Sequence, residues 1–296
     1  MDRDALECLV ESATDRHKLS IARLISIFED QRDEARASRA TVLDLLRDHP
    51  RRRYGHLVAI TGSPGAGKSS LLGRIGQALV DRDPHACWAV LAVDPSSHVS
   101  GGALLGDRTR VRFAVSSPRL FFRSQASDSE LGGIGPWTFQ VCRLLHHLFD
   151  CVFIETVGVG QSELAVRYLA DRMYLVLQPM AGDELQFLKA GIMEAPDAII
   201  LNKCDEEQAA RRTQAALESS LALARPFDRE AVPVHRTSAT TGLGIASLAD
   251  ELLQFLRDSE RPELASREAR HFSRWVQGEW GRQGSRLLEE RGSGAR

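Results

Sequence analysis

Apolar residues in this chain fall into short runs of strand length, separated by longer stretches with helical spacing. The runs are Leu57 to Thr61, Trp88 to Val93, Leu120 to Phe122, Cys151 to Ile154, Met173 to Leu177, Ala198 to Leu201 and Val232 to His235. Most are continuously apolar rather than alternating, the pattern of strands buried on both faces. Helical patterns such as Ser70 to Val80 and Ile245 to Phe255 lie between and after them. The alternation predicts an α/β fold built on a doubly wound, mostly parallel sheet. Ligands of such sheets sit beyond the carboxyl ends of the strands, so the residues that follow each run are the ones to inspect.

Before the first strand, residues 4 to 48 repeat apolar positions at helical spacing, as in Leu19, Ala22, Leu24, Ile25 and Phe28. This predicts a helical N-terminal extension over residues 1–53. His49-Pro50 interrupts it, and Arg51-Arg52-Arg53 reads as a solvated linker into a core domain spanning residues 54–258. The charged tail, residues 259–296, carries Phe272, Trp275, Trp280, Leu287 and Leu288, too few apolar side chains for a core of its own. Its aromatic anchors suggest a helical arm against another subunit.

Composition narrows the class. At 296 residues and 43% hydrophobic content the chain can bury a sizeable core, and a net charge of −2 gives no overall attraction to nucleic acid or an anionic membrane. The five cysteines are scattered, as expected of reduced thiols inside a cell. No apolar run approaches membrane-spanning length, and the acidic, polar N-terminus does not resemble a signal peptide, so a cytoplasmic protein is expected.

The chemistry begins after the first strand. Gly62-Ser63-Pro64-Gly65-Ala66-Gly67-Lys68-Ser69 fits the phosphate-loop pattern, with Ser70 opening the predicted helix. The glycines let backbone N–H groups curl around phosphate oxygens, Lys68 would bridge the β- and γ-phosphates, and the Ser69 hydroxyl would ligate Mg²⁺. Further magnesium candidates are Asp94 at a strand end and Glu155; Asp107 is undecided on sequence alone. Glu155 opens Glu-Thr-Val-Gly-Val-Gly-Gln-Ser-Glu, through Glu163, where an acidic strand end followed by glycines suits a γ-phosphate sensor.

Base choice is written separately. Asn202-Lys203-Cys204-Asp205 follows the strand Ala198 to Leu201, and Thr237-Ser238-Ala239 follows the last strand. A carboxylate at Asp205 can accept from both N1–H and the exocyclic amine of guanine, a donor pair that adenine lacks. Ser238 and Ala239 stand where a backbone contact to the guanine oxygen is expected. The catalytic candidates are Lys68, Glu155 and Gln161. Val159, not glutamine, follows the switch glycine, and Gln161 comes two residues later. Slow intrinsic GTP hydrolysis is the expected consequence.

Several longer blocks then carry a resemblance. Val93-Asp94-Pro95-Ser96-Ser97, Leu105-Gly106-Asp107-Arg108-Thr109-Arg110 with the preceding Gly101-Gly102, the Glu155 block, and Ala181-Gly182-Asp183-Glu184-Leu185-Gln186 closely resemble the MeaB/ArgK family of GTPases associated with methylmalonyl-CoA mutase. The resemblance covers roughly residues 54 to 255 and implies a P-loop GTPase with helical N- and C-terminal extensions. It further implies a chaperone that gates adenosylcobalamin loading of an acyl-CoA mutase, protects that mutase from inactivation, and forms a homodimer. It places Asp94, Asp107 and Glu155 in the metal region. It also makes Ala181 to Gly191 a third switch, with Asp183, Glu184 and Lys189 facing the partner. The chain departs from the family at residues 123–130, where Arg-Ser-Gln-Ala-Ser-Asp-Ser-Glu replaces an arginine-proline segment. Two rival chemistries are a nickel or cobalt carrier and an ATP-dependent kinase linked to amino-acid transport. The first lacks clustered Cys or His ligands, and the second conflicts with Asn-Lys-Cys-Asp.

Overall fold

A computed structural model of the chain describes residues 1–30, 32–94, 117–126, 134, 136–156, 162–179, 195–224, 231–259 and individual positions between 273 and 290. Its centre is a seven-stranded sheet, parallel throughout, formed by β1 (His56–Gly62), β2 (Trp88–Asp94), β3 (Leu120–Ala126), β4 (Cys151–Thr156), β5 (Arg172–Leu177), β6 (Ala198–Leu201) and β7 (Val234–Arg236). The spatial order is β3-β2-β4-β1-β5-β6-β7. β1 is therefore central, and its carboxyl end meets those of β4 and β5. Ile60 lies opposite Glu155, and Gly62 opposite Val176.

Side chains alternate between two apolar layers. Leu57, Ala59, Leu91, Val152 and Ile154 face one side, where α5 (Pro136–Leu148) and α6 (Ser162–Leu169) pack. Val58, Ile60, Trp88, Val90, Phe153 and Val176 face the other, against α4 (Lys68–Arg82) and α8 (Ile245–Asp258). Helix α7 (Glu207–Ala224) covers β5 and β6 through Ala210, Leu217 and Leu221. Each buried branched or aromatic side chain contributes about 1.5–3 kcal/mol.

The N-terminal helices α1 (Arg3–Thr14), α2 (Lys18–Glu29) and α3 (Asp33–Asp48) do not stand apart from this core. Leu6, Ile21, Leu24, Ile25, Phe28 and Leu46 are at most 2% exposed and belong to the same apolar cluster as Leu57, Val152 and α5. The start of α1 is fixed by Asp2, whose side chain accepts from the Ala5 amide at 2.9 Å.

Arg51-Arg52-Arg53, expected as a solvated linker, is instead a seam. Arg51 pairs with Asp15 and Glu11, Arg52 lies 4.6 Å over the Tyr54 ring, and Arg53 pairs with Asp150. Carboxylates distant in sequence recruit these guanidiniums, a match that local composition does not display. β3 likewise runs past its predicted end, because Arg123, Ser124 and Gln125 keep pairing with β2 and the Arg123 guanidinium is held by Glu29 of α2. The first half of the divergent stretch is thus edge strand; residues 127–130 lie outside the described residues. Cys87, Cys142, Cys151 and Cys204 are buried, and burial raises their thiol pKa values. Cys8 is exposed. No helix among the described residues is long and apolar enough to cross a membrane.

His147 on α5 gives the fold a testable pH dependence. Burial first, then the charges of His146, Arg52, Arg143 and Arg47, lower its pKa from 6.5 to about 4. Above 6.5 the ring is neutral whether the chain is folded or not. As pH falls from 6.5 toward 4, the unfolded chain takes up a proton that the folded ring refuses, so stability declines across that window. Between pH 7 and about pH 5 this one ring is expected to remove about 2 kcal/mol, and His147→Gln to flatten that loss. Urea unfolding of both proteins at the two pH values measures it.

Candidate functional site

The carboxyl ends of β1, β4, β6 and β7 gather the polar residues singled out above. β1 ends at Gly62, where φ is +140° and an added Cβ would lie 2.0 Å from the Val176 carbonyl oxygen, so no side chain fits beside β5. The loop then turns through Gly65 and Gly67, both with positive φ, and α4 begins at Lys68. Its first amides face the loop, the arrangement that favours phosphate.

Lys68 is only 5% exposed. Its Nζ donates to the Gly62 carbonyl at 2.8 Å and to the Ser63 carbonyl at 3.0 Å, so the ammonium sits where the loop closes on itself. The next residue, Ser69, donates from Oγ to Oε1 of Glu155 at 2.8 Å. Glu155 is 3% exposed at the end of β4, and beside it Thr156 donates to Thr61 Oγ1 at 3.0 Å. A hydroxyl and a carboxylate brought together next to a phosphate cradle are hard oxygen donors of the kind Mg²⁺ takes, so these residues fit that ion. Bound there with the nucleotide, Mg²⁺ would neutralise charge on the phosphate oxygens. Asp94 ends β2, but its side chain lies outside the described set, as do Asp107, Gln161, Asp183, Glu184 and Lys189.

The second half of the site is a set of linked loops. Asn202, 1% exposed, donates from Nδ2 to the Ala66 carbonyl at 2.9 Å; its Oδ1 accepts from the Ala239 amide and Thr237 Oγ1, both at 3.2 Å. One side chain therefore joins the phosphate loop to the loops after β6 and β7. Gly67 permits that approach, since a Cβ there would lie 2.7 Å from Asn202 Nδ2. Lys203 takes a left-handed φ of 62°, and its Nζ donates to Gln178 at 2.9 Å. Asp205 is exposed, with Oδ1 accepting from Ser238 Oγ at 2.8 Å, which orients the carboxylate. The Ser238 hydroxyl also accepts from the Thr241 amide at 3.0 Å.

Ser63 and Ala66 lie within this loop, while Ser70 is exposed on the first turn of α4. Asn202, expected at the nucleotide, braces three loops. Thr61, Thr156 and the Thr237 hydroxyl are polar contributors that no motif names. Their signal was a threonine closing or following three apolar strands.

The comparisons agree with this geometry. The chain is 37% identical over 253 residues to a protein of Mycobacterium tuberculosis named a probable GTPase, covering 84% of this chain and 74% of that one. It is 32% identical over 288 residues to the mitochondrial methylmalonic aciduria type A homolog of Caenorhabditis elegans, covering 93% and 72% respectively. The crystal structure of a LAO/AO transport system kinase superposes with a TM-score of 0.70 at 23% identity, over 98% of this chain and 87% of that one, a likeness of fold. The family model described as Methylmalonyl Co-A mutase-associated GTPase MeaB matches residues 21–283. Matched over most of its length by that family model and by relatives named GTPases, the chain belongs to the MeaB family of GTPases.

Proposed function

We propose that this GTPase is the chaperone of an adenosylcobalamin-dependent acyl-CoA mutase, methylmalonyl-CoA mutase or a relative, gating cofactor loading and protecting the loaded enzyme. The observation that carries the reading is the reach of the family match. It spans residues 21–283, from α2 and α3 through the sheet and beyond α8 into the tail, so the likeness extends past the hydrolytic core. A relative named for methylmalonic aciduria, covering 93% of this chain, supports the same reading.

In this proposal Lys68 and the α4 amides hold the β- and γ-phosphates, and Ser69, Asp94, Asp107 and Glu155 form the Mg²⁺ region. Asp205 reads guanine beside Ser238 and Ala239, with Lys203 flanking the base. Gln161 orients the attacking water once the partner reshapes the switch, and Asp183, Glu184 and Lys189 answer that partner. Residues 1–53 and 259–296 flank the GTPase domain, residues 54–258, and the tail joins two copies. Because Val159 stands where a water-orienting glutamine is usual, hydrolysis by the chain alone is expected to be slow. Adding the cognate mutase should raise the single-turnover rate at least about tenfold, within the range that supplied catalytic groups achieve. Fast turnover unaffected by the mutase would overturn the proposal.

A further inference from the structure

Between α3 and α5 lies an open groove of about 340 Å³ whose charged lining is Arg36, Arg39, Arg47 and Arg143 against a single carboxylate, Asp44. Residues 36, 39, 40, 43, 44 and 47 recur at three- and four-residue spacing and so share one face of α3. From Arg36 to Arg47 that face runs about 16 Å. Ala40 and Leu43 form an apolar floor between the charges.

The guanidiniums differ in how far they are engaged. Arg47 lies 3.0 Å from Asp44 in an exposed pair, which is weakly held. Arg39 sits 5.4 Å over the Trp137 ring, and burial lowers its pKa. Arg36 is exposed and has no ion pair among the described residues. The whole chain carries a net charge of −2, so this excess of cations is a local segregation rather than an average property.

The layout selects among anions. A compact polyphosphate would reach only part of a row about 16 Å long, and Asp44 in its middle would repel a dense cluster of negative charge. Carboxylates on one face of a helix recur about every 6 Å and leave room for apolar side chains between them. We propose that this groove docks an acidic amphipathic segment of a partner protein, its carboxylates on Arg36, Arg39, Arg47 and Arg143 and an apolar side chain on Ala40 and Leu43. The inference stands whether or not the partner is a mutase.

The test uses the full chain and a fluorescein-labelled helical peptide with glutamate at every fourth position and leucine between, followed by fluorescence anisotropy. Binding should weaken with rising salt. Arg36→Glu should raise the dissociation constant about tenfold, and Arg36→Ala combined with Arg47→Ala should do so by a similar factor. Arg212→Glu, the same charge change at an exposed position on α7, should leave it within about twofold, and GTP hydrolysis should be unchanged in all three. Absence of binding, or equal weakening by Arg212→Glu, would overturn the proposal. Inorganic tripolyphosphate binding more tightly than the peptide, with the same arginine dependence, would assign the groove to a small polyphosphate and overturn it as well.

Discussion

Lys68→Ala is expected to reduce GTP hydrolysis by at least about 10²–10³-fold while the chain remains folded. The ammonium is buried to 5% exposure and donates within the phosphate loop to the Gly62 and Ser63 carbonyls. An ammonium has three donors, so it can keep a loop contact and still turn toward phosphate oxygens when nucleotide enters. In the transition state charge redistributes over those oxygens, and a fixed, desolvated cation placed for that distribution stabilises it more than the ground state. Alanine removes the cation and leaves two loop carbonyls without their donor, at a cost of about 1–3 kcal/mol each where they are shielded from water. Thermal unfolding of the nucleotide-free protein measures this structural part, and single-turnover hydrolysis at saturating GTP measures the chemical part. Lys68→Arg should not restore the rate, because a planar fork does not fit a pocket shaped around a compact ammonium. A folded Lys68→Ala protein that hydrolyses GTP normally would remove Lys68 from the proposed role.

The fold was legible because its signals are local. Continuous apolar runs ending in polar residues predicted all seven strands, and the ends shifted by at most a few positions. The largest shift is at β3, predicted to end at Phe122 and found to run to Ala126. Edge pairing with β2 and an ion pair to Glu29 keep those residues in the sheet. Both causes act between distant segments, which no window along the chain contains. The same holds for the arginine seam, whose carboxylate partners Glu11, Asp15 and Asp150 lie in or just after α1 and just before β4.

At the site, residue types pointed to chemistry but not to mutual support. The motif makes Gly67 a glycine that admits phosphate. Its neighbour in space is Asn202, and the lack of a Cβ is also what lets that amide reach the Ala66 carbonyl. The other end of the same amide, its oxygen, accepts from Ala239 and Thr237. If the loops after β6 and β7 read the base as proposed, phosphate and base recognition share one buried side chain. Substitution of Asn202 should weaken binding of guanosine and of pyrophosphate together.

Asp205→Asn should separate base choice from phosphate binding. The Asp205 carboxylate is oriented by Ser238 Oγ at 2.8 Å, and its loop is held by the Cys204 amide donating to the Thr237 carbonyl at 2.9 Å. Guanine presents two donors, N1–H and the exocyclic amine, which a carboxylate accepts together. Asparagine keeps one acceptor and sets an N–H against the exocyclic amine, so a charge-assisted bond worth about 1.5–3 kcal/mol is lost. GTP affinity should fall roughly 10–150-fold. Xanthine carries an oxygen where guanine carries that amine, so the asparagine N–H finds an acceptor while its oxygen still takes N1–H. The variant should prefer xanthosine triphosphate to GTP, the wild type should prefer GTP, and both should bind ATP poorly. Ser238→Ala, which frees the carboxylate without changing its charge, should lie between them. Competition of each triphosphate against a fluorescent nucleotide reads all three proteins. Unaltered GTP preference in a folded Asp205→Asn protein would refute the assignment of Asp205 to the base, while equal loss of every nucleotide would trace the defect to the loops that Asn202 braces.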